Sequence, residues 1–128
     1  MMKIKTVRET NWKNYLIKAD QFYKTAADAR VKKNWNAVGL NTVHSAISAN
    51  DALTVFIIGK RAASEKHSDS LLLLKEAFKN SKEMLEYSRH LQWLLGRKNL
   101  VEYESRLFYE REAEEALKHA ERFFKLDK

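Results

Sequence analysis

The chain has 128 residues, enough for one ordinary domain that spans residues 1–128. It contains no proline and only three glycines, and it is rich in Ala, Leu, Lys and Glu, which predicts an all-helical protein. The lack of cysteine excludes disulfides, thiolate catalysis and Cys-based zinc sites. The four histidines have no close metal-binding spacing, so we expect neither a metal nor another cofactor.

The net charge of +7 is unevenly distributed along the chain. Residues 1–36 hold nine Lys or Arg against three Asp or Glu, whereas residues 97–128 hold eight of each. A basic N-terminal helix can bind nucleic acid or an acidic protein, but a solvated helix face is the simpler interpretation. No apolar run reaches the roughly 18 residues that span a bilayer, and the N-terminus lacks a signal-peptide core. We therefore expect a cytoplasmic protein without membrane contact.

Two long amphipathic helices are predicted first. One begins after Thr10 or Asn11, and its apolar residues follow the i, i+3, i+4, i+7 spacing of a helix facing a core. These residues are Trp12, Tyr15, Leu16, Ala19, Phe22, Tyr23 and Ala26. The other runs from about Asn34 to Ile58, and Gly59 is its expected C-cap. It carries a row of small residues that would let a neighbouring helix approach closely.

Shorter and less regular segments flank these helices. Residues 1–9 are expected to form a loose N-terminal segment, and residues 60–67, KRAASEKH, are the most loop-like stretch. Ser68 or Asp69 then begins a short helix that continues to Phe78.

Two further helices complete the predicted fold. Asn80 and Glu83 form a capping box that begins a helix continuing to about Tyr103. After a break near Ser105, the last helix covers about Glu110–Leu126. The resulting fold class is all-α, an antiparallel up-and-down four-helix bundle with an additional short helix.

One line of the second helix is polar. His44, Ser48 and Asp51 are spaced i, i+4 and i+7, and a histidine beside a carboxylate is an arrangement that acid–base sites use. Because no nucleophile or phosphate-binding loop is evident nearby, an interhelical hydrogen-bond network is the simpler interpretation. His67, just before a helix start, is assigned the same structural role.

The helix after the capping box turns polar at GRKNLVEY, residues 96–103. At 100° per residue, Lys98 and Glu102 continue the line of the buried leucines, and His90 and Arg97 align on its flank. Such a cluster is either the wet end of a bundle or, in a dimer, a cationic cleft for phosphate. The candidate phosphate ligands are Arg97, Lys98 and Tyr103.

The same helix has a second apolar line that contains Trp93, Leu100 and Tyr103. A helix that is apolar on two sides is either central in its bundle or shared with a partner subunit. Because a four-helix bundle offers few central positions, we predict a homodimer with these three residues at its interface.

The order of these features resembles the HEPN superfamily from about Trp12 onwards. The stretches that carry the resemblance are AVGLNTVHSAISANDAL, HSDSLLLLKEAF, GRKNLVEYES and EREAEEALKHAERFF. Active members of that superfamily are metal-independent ribonucleases, with an arginine followed after four to six residues by a histidine in both subunits of a dimer. Stand-alone members often pair with a small nucleotidyltransferase as a toxin–antitoxin system, so the resemblance implies such a partner.

The resemblance places Arg97 on the arginine of this motif and Glu102 on its histidine. A histidine with a pKa near 6.5 can transfer protons at neutral pH, whereas an ordinary glutamate is a carboxylate that repels phosphate. The ribonuclease motif is therefore degenerate. His90 is the other candidate for the imidazole, although it lies about 10 Å along the helix from Arg97.

The sequence thus predicts a non-catalytic, HEPN-like homodimer that binds a partner protein, a nucleotide or RNA. The first alternative is a metal-independent ribonuclease that uses Arg97 with Glu102 or His90. The second is a structural helical module whose basic first helix docks on an acidic protein surface.

Overall fold

The structure is a computed structural model, and it describes residues 4–6, 8, 11–62, 67–78 and 82–126. In chain order its elements are strand β1 (Ile4–Thr6), helices α1 (Trp12–Val31) and α2 (Trp35–Ile58), strand β2 (Lys60–Ala62), and helices α3 (His67–Phe78), α4 (Lys82–Leu95), α5 (Lys98–Glu102) and α6 (Glu110–Leu126). The all-α fold is confirmed. Thr10, Asn80 and residues 63–66, which figure in the predicted caps and loop, lie outside the described residues.

Helix α2 is central and contacts all five other helices. Its small residues permit this, because Ala46 and Ala49 are fully buried and the Ser45 hydroxyl donates to the Ala19 carbonyl of α1 at 2.7 Å. The helix ends as predicted at Gly59, whose φ of 65° is the left-handed conformation that glycine adopts without strain.

The core fills the space between α2, α4 and α6. The last of these helices contributes alanines at i, i+3 and i+7 spacing, which bring its backbone close to the others. The fully buried residues at this junction are Val38, Val43, Ala46, Leu91, Leu94, Ala113, Ala116 and Ala120. Among the described helices, none combines the length and the apolar character needed to cross a bilayer.

The helix predicted to run to about Tyr103 is interrupted, so that prediction was wrong. Helix α4 ends at Leu95, and the Arg97 N–H bonds to the Leu94 carbonyl at 3.1 Å, three residues back, which tightens the turn. Because the helix is interrupted at Gly96 and Arg97, the 100° projection of α4 does not fix the positions of Lys98 to Tyr103.

A short antiparallel pair joins two segments that were expected to be irregular. Ile4 pairs with Ala62 and Thr6 with Lys60, so residues 4–6 and 60–62 are strands rather than loose segment and loop. The cause is a pairing between distant parts of the chain, which a local pattern cannot reveal.

Candidate functional site

Helix α5 directs Glu102 at helix α2. Glu102 Oε1 lies 2.9 Å from His44 Nε2, and Oε2 lies 3.8 Å from Lys98 Nζ. The side chains of Lys98 and Glu102 are each only 13% exposed, so solvent screens these interactions weakly. The carboxylate is therefore held by an imidazole on one side and an ammonium group on the other.

Arg97 lies flat on an aromatic ring at the turn between α4 and α5. Its guanidinium carbon is 3.7 Å from the centre of the Trp93 ring, and Nη1 donates to the Trp93 carbonyl at 3.1 Å. A guanidinium has five N–H donors, so donors remain after this bond. The stacking fixes the cation and leaves it able to bind an anion.

Trp93 links Arg97 to two histidines. The ring centres of Trp93 and His119 are 4.5 Å apart at an angle of 24°, and His119 Nδ1 is 2.9 Å from His90 Nδ1. A row of four side chains, Arg97, Trp93, His119 and His90, thus crosses from α4 to α6. The sequence had aligned His90 with Arg97 but gave no sign of His119, because its contacts come from the packing of α6 on α4.

Both histidines in the row have a pKa below the usual range. Burial is the main cause for each, since it disfavours the charged imidazolium. Arg122 and Arg89 lower the pKa of His90 further, and His90, Arg122 and Arg97 do the same for His119. The pair is therefore mostly neutral at pH 7.

A family model for the HEPN domain matches residues 12–128. The chain belongs to the HEPN family. Neither the curated proteins nor the solved structures contain a significant match to it. Membership of this family suggests a function related to nucleotides or RNA.

The polar row of α2 in this HEPN domain divides between two surroundings. His44 pairs with Glu102, whereas Asp51 is buried and lies in the field of Arg61 and Lys18. Burial raises the pKa of Asp51 to about 7, although both cations act in the opposite direction. Ser48 is also buried. His67 is the first residue of α3, and its side chain lies outside the described part of the structure.

The three residues expected at the dimer interface differ in exposure. Trp93 and Leu100 are half-buried against the core of their own HEPN domain, whereas Tyr103 is 69% exposed. Leu107 and Tyr109 are also exposed on the connection that follows α5. Tyr103, Leu107 and Tyr109 will be called the α5–α6 patch.

In the part of the chain that the structure describes, no three His, Asp or Glu side chains are grouped to hold a metal ion.

Proposed function

We propose that this HEPN protein is a non-catalytic homodimer that binds a phosphate group of a nucleotide or RNA through Arg97. Lys98 and Tyr103 complete the proposed site, and the protein acts in the cytoplasm beside a nucleotidyltransferase-type partner in a toxin–antitoxin-like pair. The observation that carries the proposal is the burial of Glu102 between two side chains. Glu102 is the residue that the family resemblance aligns with the catalytic histidine.

Glu102 is committed to structure in this chain. Its carboxyl group is mostly buried between His44 and Lys98, so its oxygens contact these two side chains rather than facing an open site. Lys98 balances the charge of this carboxyl group, so it acts on a bound phosphate through its field more than by direct contact.

Arg97 supports the binding role. Stacking on Trp93 limits the rotamers of the guanidinium, so less entropy is lost when it binds an anion. The phenol ring of the exposed Tyr103 offers an aromatic face for a base, and stacking of this kind is common in single-strand recognition.

The test is binding of a labelled single-stranded RNA, measured by fluorescence anisotropy at several salt concentrations. We expect Arg97→Ala to weaken binding about tenfold, the effect of losing one charge-assisted contact. It should also reduce the slope of log K against log salt by about 1. Arg111→Ala, which removes an exposed arginine of α6, is the matched control and should leave both quantities nearly unchanged. Equal affinities for the two variants would contradict the proposal.

The alternative function is a metal-independent ribonuclease in which Arg97 works with an imidazole from His90. The row that joins the two residues through Trp93 and His119 favours it. Incubation of the wild type with RNA in EDTA separates the two functions, and we expect no cleavage. Cleavage that Arg97→Ala abolishes without unfolding the protein would replace the binding proposal with the enzyme.

The partner proposal has its own measurement. A nucleotidyltransferase encoded beside this gene should elute with the HEPN protein in size-exclusion chromatography. Separate elution at micromolar concentrations would remove that part of the proposal.

A further inference from the structure

The hydrogen bond between His90 and His119 restricts how the two rings carry protons. Their Nδ1 atoms are 2.9 Å apart, so one of them donates and the other accepts. A first added proton goes to the Nε2 of the donating ring and leaves this bond intact. A second would put hydrogens on both Nδ1 atoms and break it. The pair therefore accepts one proton much more readily than two.

The charges that face the pair from both helices and from the α4–α5 turn are mostly positive. Arg89 and Glu86 of α4 act on His90, Glu115 of α6 and Arg97 at the turn act on His119, and Arg122 acts on both. Three arginines thus oppose two carboxylates around an imidazole pair that is itself half-buried. Burial is the main reason that the pair is neutral, and an anion among these groups would offset the smaller contribution of the repelling arginines.

We propose that His90, His119 and Arg122 form an oxyanion site that binds a phosphate group and takes up one proton as it does so. It would be a second phosphate site, connected to Arg97 through Trp93. The proposal rests on the proposed function for the identity of the anion. The uptake of a proton follows from the shared Nδ1 bond, because the first added proton creates an N–H donor at the free Nε2 of one ring and this donor can bind the anion.

The first test uses sulfate, a tetrahedral dianion that does not itself titrate over about pH 5 to 8, where histidine does. The imidazole resonances of His90 and His119 are followed by 1H–15N NMR in sulfate and in chloride at equal ionic strength. We expect sulfate to raise the pKa of the pair by about 1, and its affinity to increase as pH falls through that pKa. A pKa that is the same in both salts would overturn the proposal.

Variants locate the effect. His90→Gln combined with His119→Gln keeps hydrogen-bonding side chains at both positions but leaves no imidazole to take up the proton, so sulfate binding should lose its pH dependence. Arg122→Gln should weaken sulfate binding several-fold and raise the pKa of the pair in chloride, because a repelling cation is gone. Arg111→Gln removes the same charge about 16 Å along α6 and is the control. Equal effects of the two arginine variants would refute a localised site.

Two natural phosphate sources are then compared by the same NMR titration, uridine 5′-monophosphate and a short oligouridylate. A raised pKa with either one supports the site and assigns its source. Sulfate-linked proton uptake without any RNA or nucleotide binding would leave the histidine site standing and contradict the proposed function. RNA binding through Arg97 with unchanged histidine titration would contradict the histidine site and leave the proposed function standing.

Discussion

Asp51 is a buried ionisable residue on the central helix α2. It is 7% exposed, and its pKa of about 7 is well above the ordinary 3.8. The folded state therefore holds this proton between about pH 4 and 7, while the unfolded chain releases it. Folding is favoured by this group at low pH, and the contribution is lost as pH rises through the folded pKa.

Asp51→Asn should remove this dependence of the free energy of unfolding on pH. We expect the variant to be more stable than the wild type at pH 8, by up to about 4 kcal/mol, because it no longer buries a charge. Near pH 4 the two proteins should differ little. Urea unfolding at both pH values measures the difference, and a variant that is less stable at pH 8 would mean that the attraction of Arg61 and Lys18 outweighs burial.

Glu102 and the two histidines, His90 and His119, have different surroundings in the structure. Glu102 has no imidazole chemistry, yet it fixes His44 and Lys98 in place. His90 and His119 form an imidazole pair between α4 and α6. The polar groups of this region thus form two clusters.

At the scale of elements, α5 is positioned by a glycine in another helix. A Cβ at Gly39 of α2 would lie 2.7 Å from Phe108 Cδ2 and 2.9 Å from Val101 Cγ1. The Phe108 ring is buried, and the Phe108 N–H donates to Asn36 Oδ1 at 2.8 Å, so the segment has little freedom to move away. The absence of a side chain at Gly39 allows α5 and the following segment to dock on α2.

Gly39→Ala should therefore destabilise the protein by about 1 to 3 kcal/mol, because overpacking outweighs the better helix propensity of alanine. Gly96→Ala is the control. Its Cβ would meet the Gln92 carbonyl at 3.2 Å, and we expect a change within about 0.5 kcal/mol. Thermal or urea unfolding measures the stability of the two variants. Similar losses of stability would show that the Phe108 ring moves aside.

At the scale of the whole molecule, the exposed apolar side chains of the described residues include two groups that could form an interface. One is the α5–α6 patch, and the other lies where α1 meets the end of α2. There the rings of Trp12 and Phe56 are 5.2 Å apart, and Phe56 is 58% exposed. Helix α1 packs mainly on α2, so its wide apolar stripe is only partly covered.

We expect the proposed homodimer to use the α5–α6 patch, because Tyr103 and Arg97 flank the same short helix α5. Tyr103→Asp should then give a monomer in sedimentation equilibrium, while Phe56→Asp, a matched change on the other surface, should leave the dimer intact. The opposite result would place the interface on α1 and α2. A stable interface buries about 1,200 Å² or more and would hold the two subunits together at tens of micromolar. A wild type that is monomeric at that concentration would therefore contradict the dimer itself.

Local pattern was sufficient for much of the fold. The bounds of α6, the span of α2 and its C-cap at Gly59 follow from helix periodicity and from the conformational freedom of glycine, which are properties of neighbouring residues. Family membership followed from the order of the motifs and is confirmed by the HEPN match.

The rest depended on contacts between distant parts of the chain. The β1–β2 pair, the bond from His44 to Glu102 and the pairing of His90 with His119 all join segments that only packing brings together. Hydrophobic periodicity states which face of a helix is buried, but not which residue of another helix it meets. The composition and spacing of the sequence therefore determined a helical HEPN domain, while the tertiary structure decided which polar groups touch, because those contacts form between helices that only packing brings together.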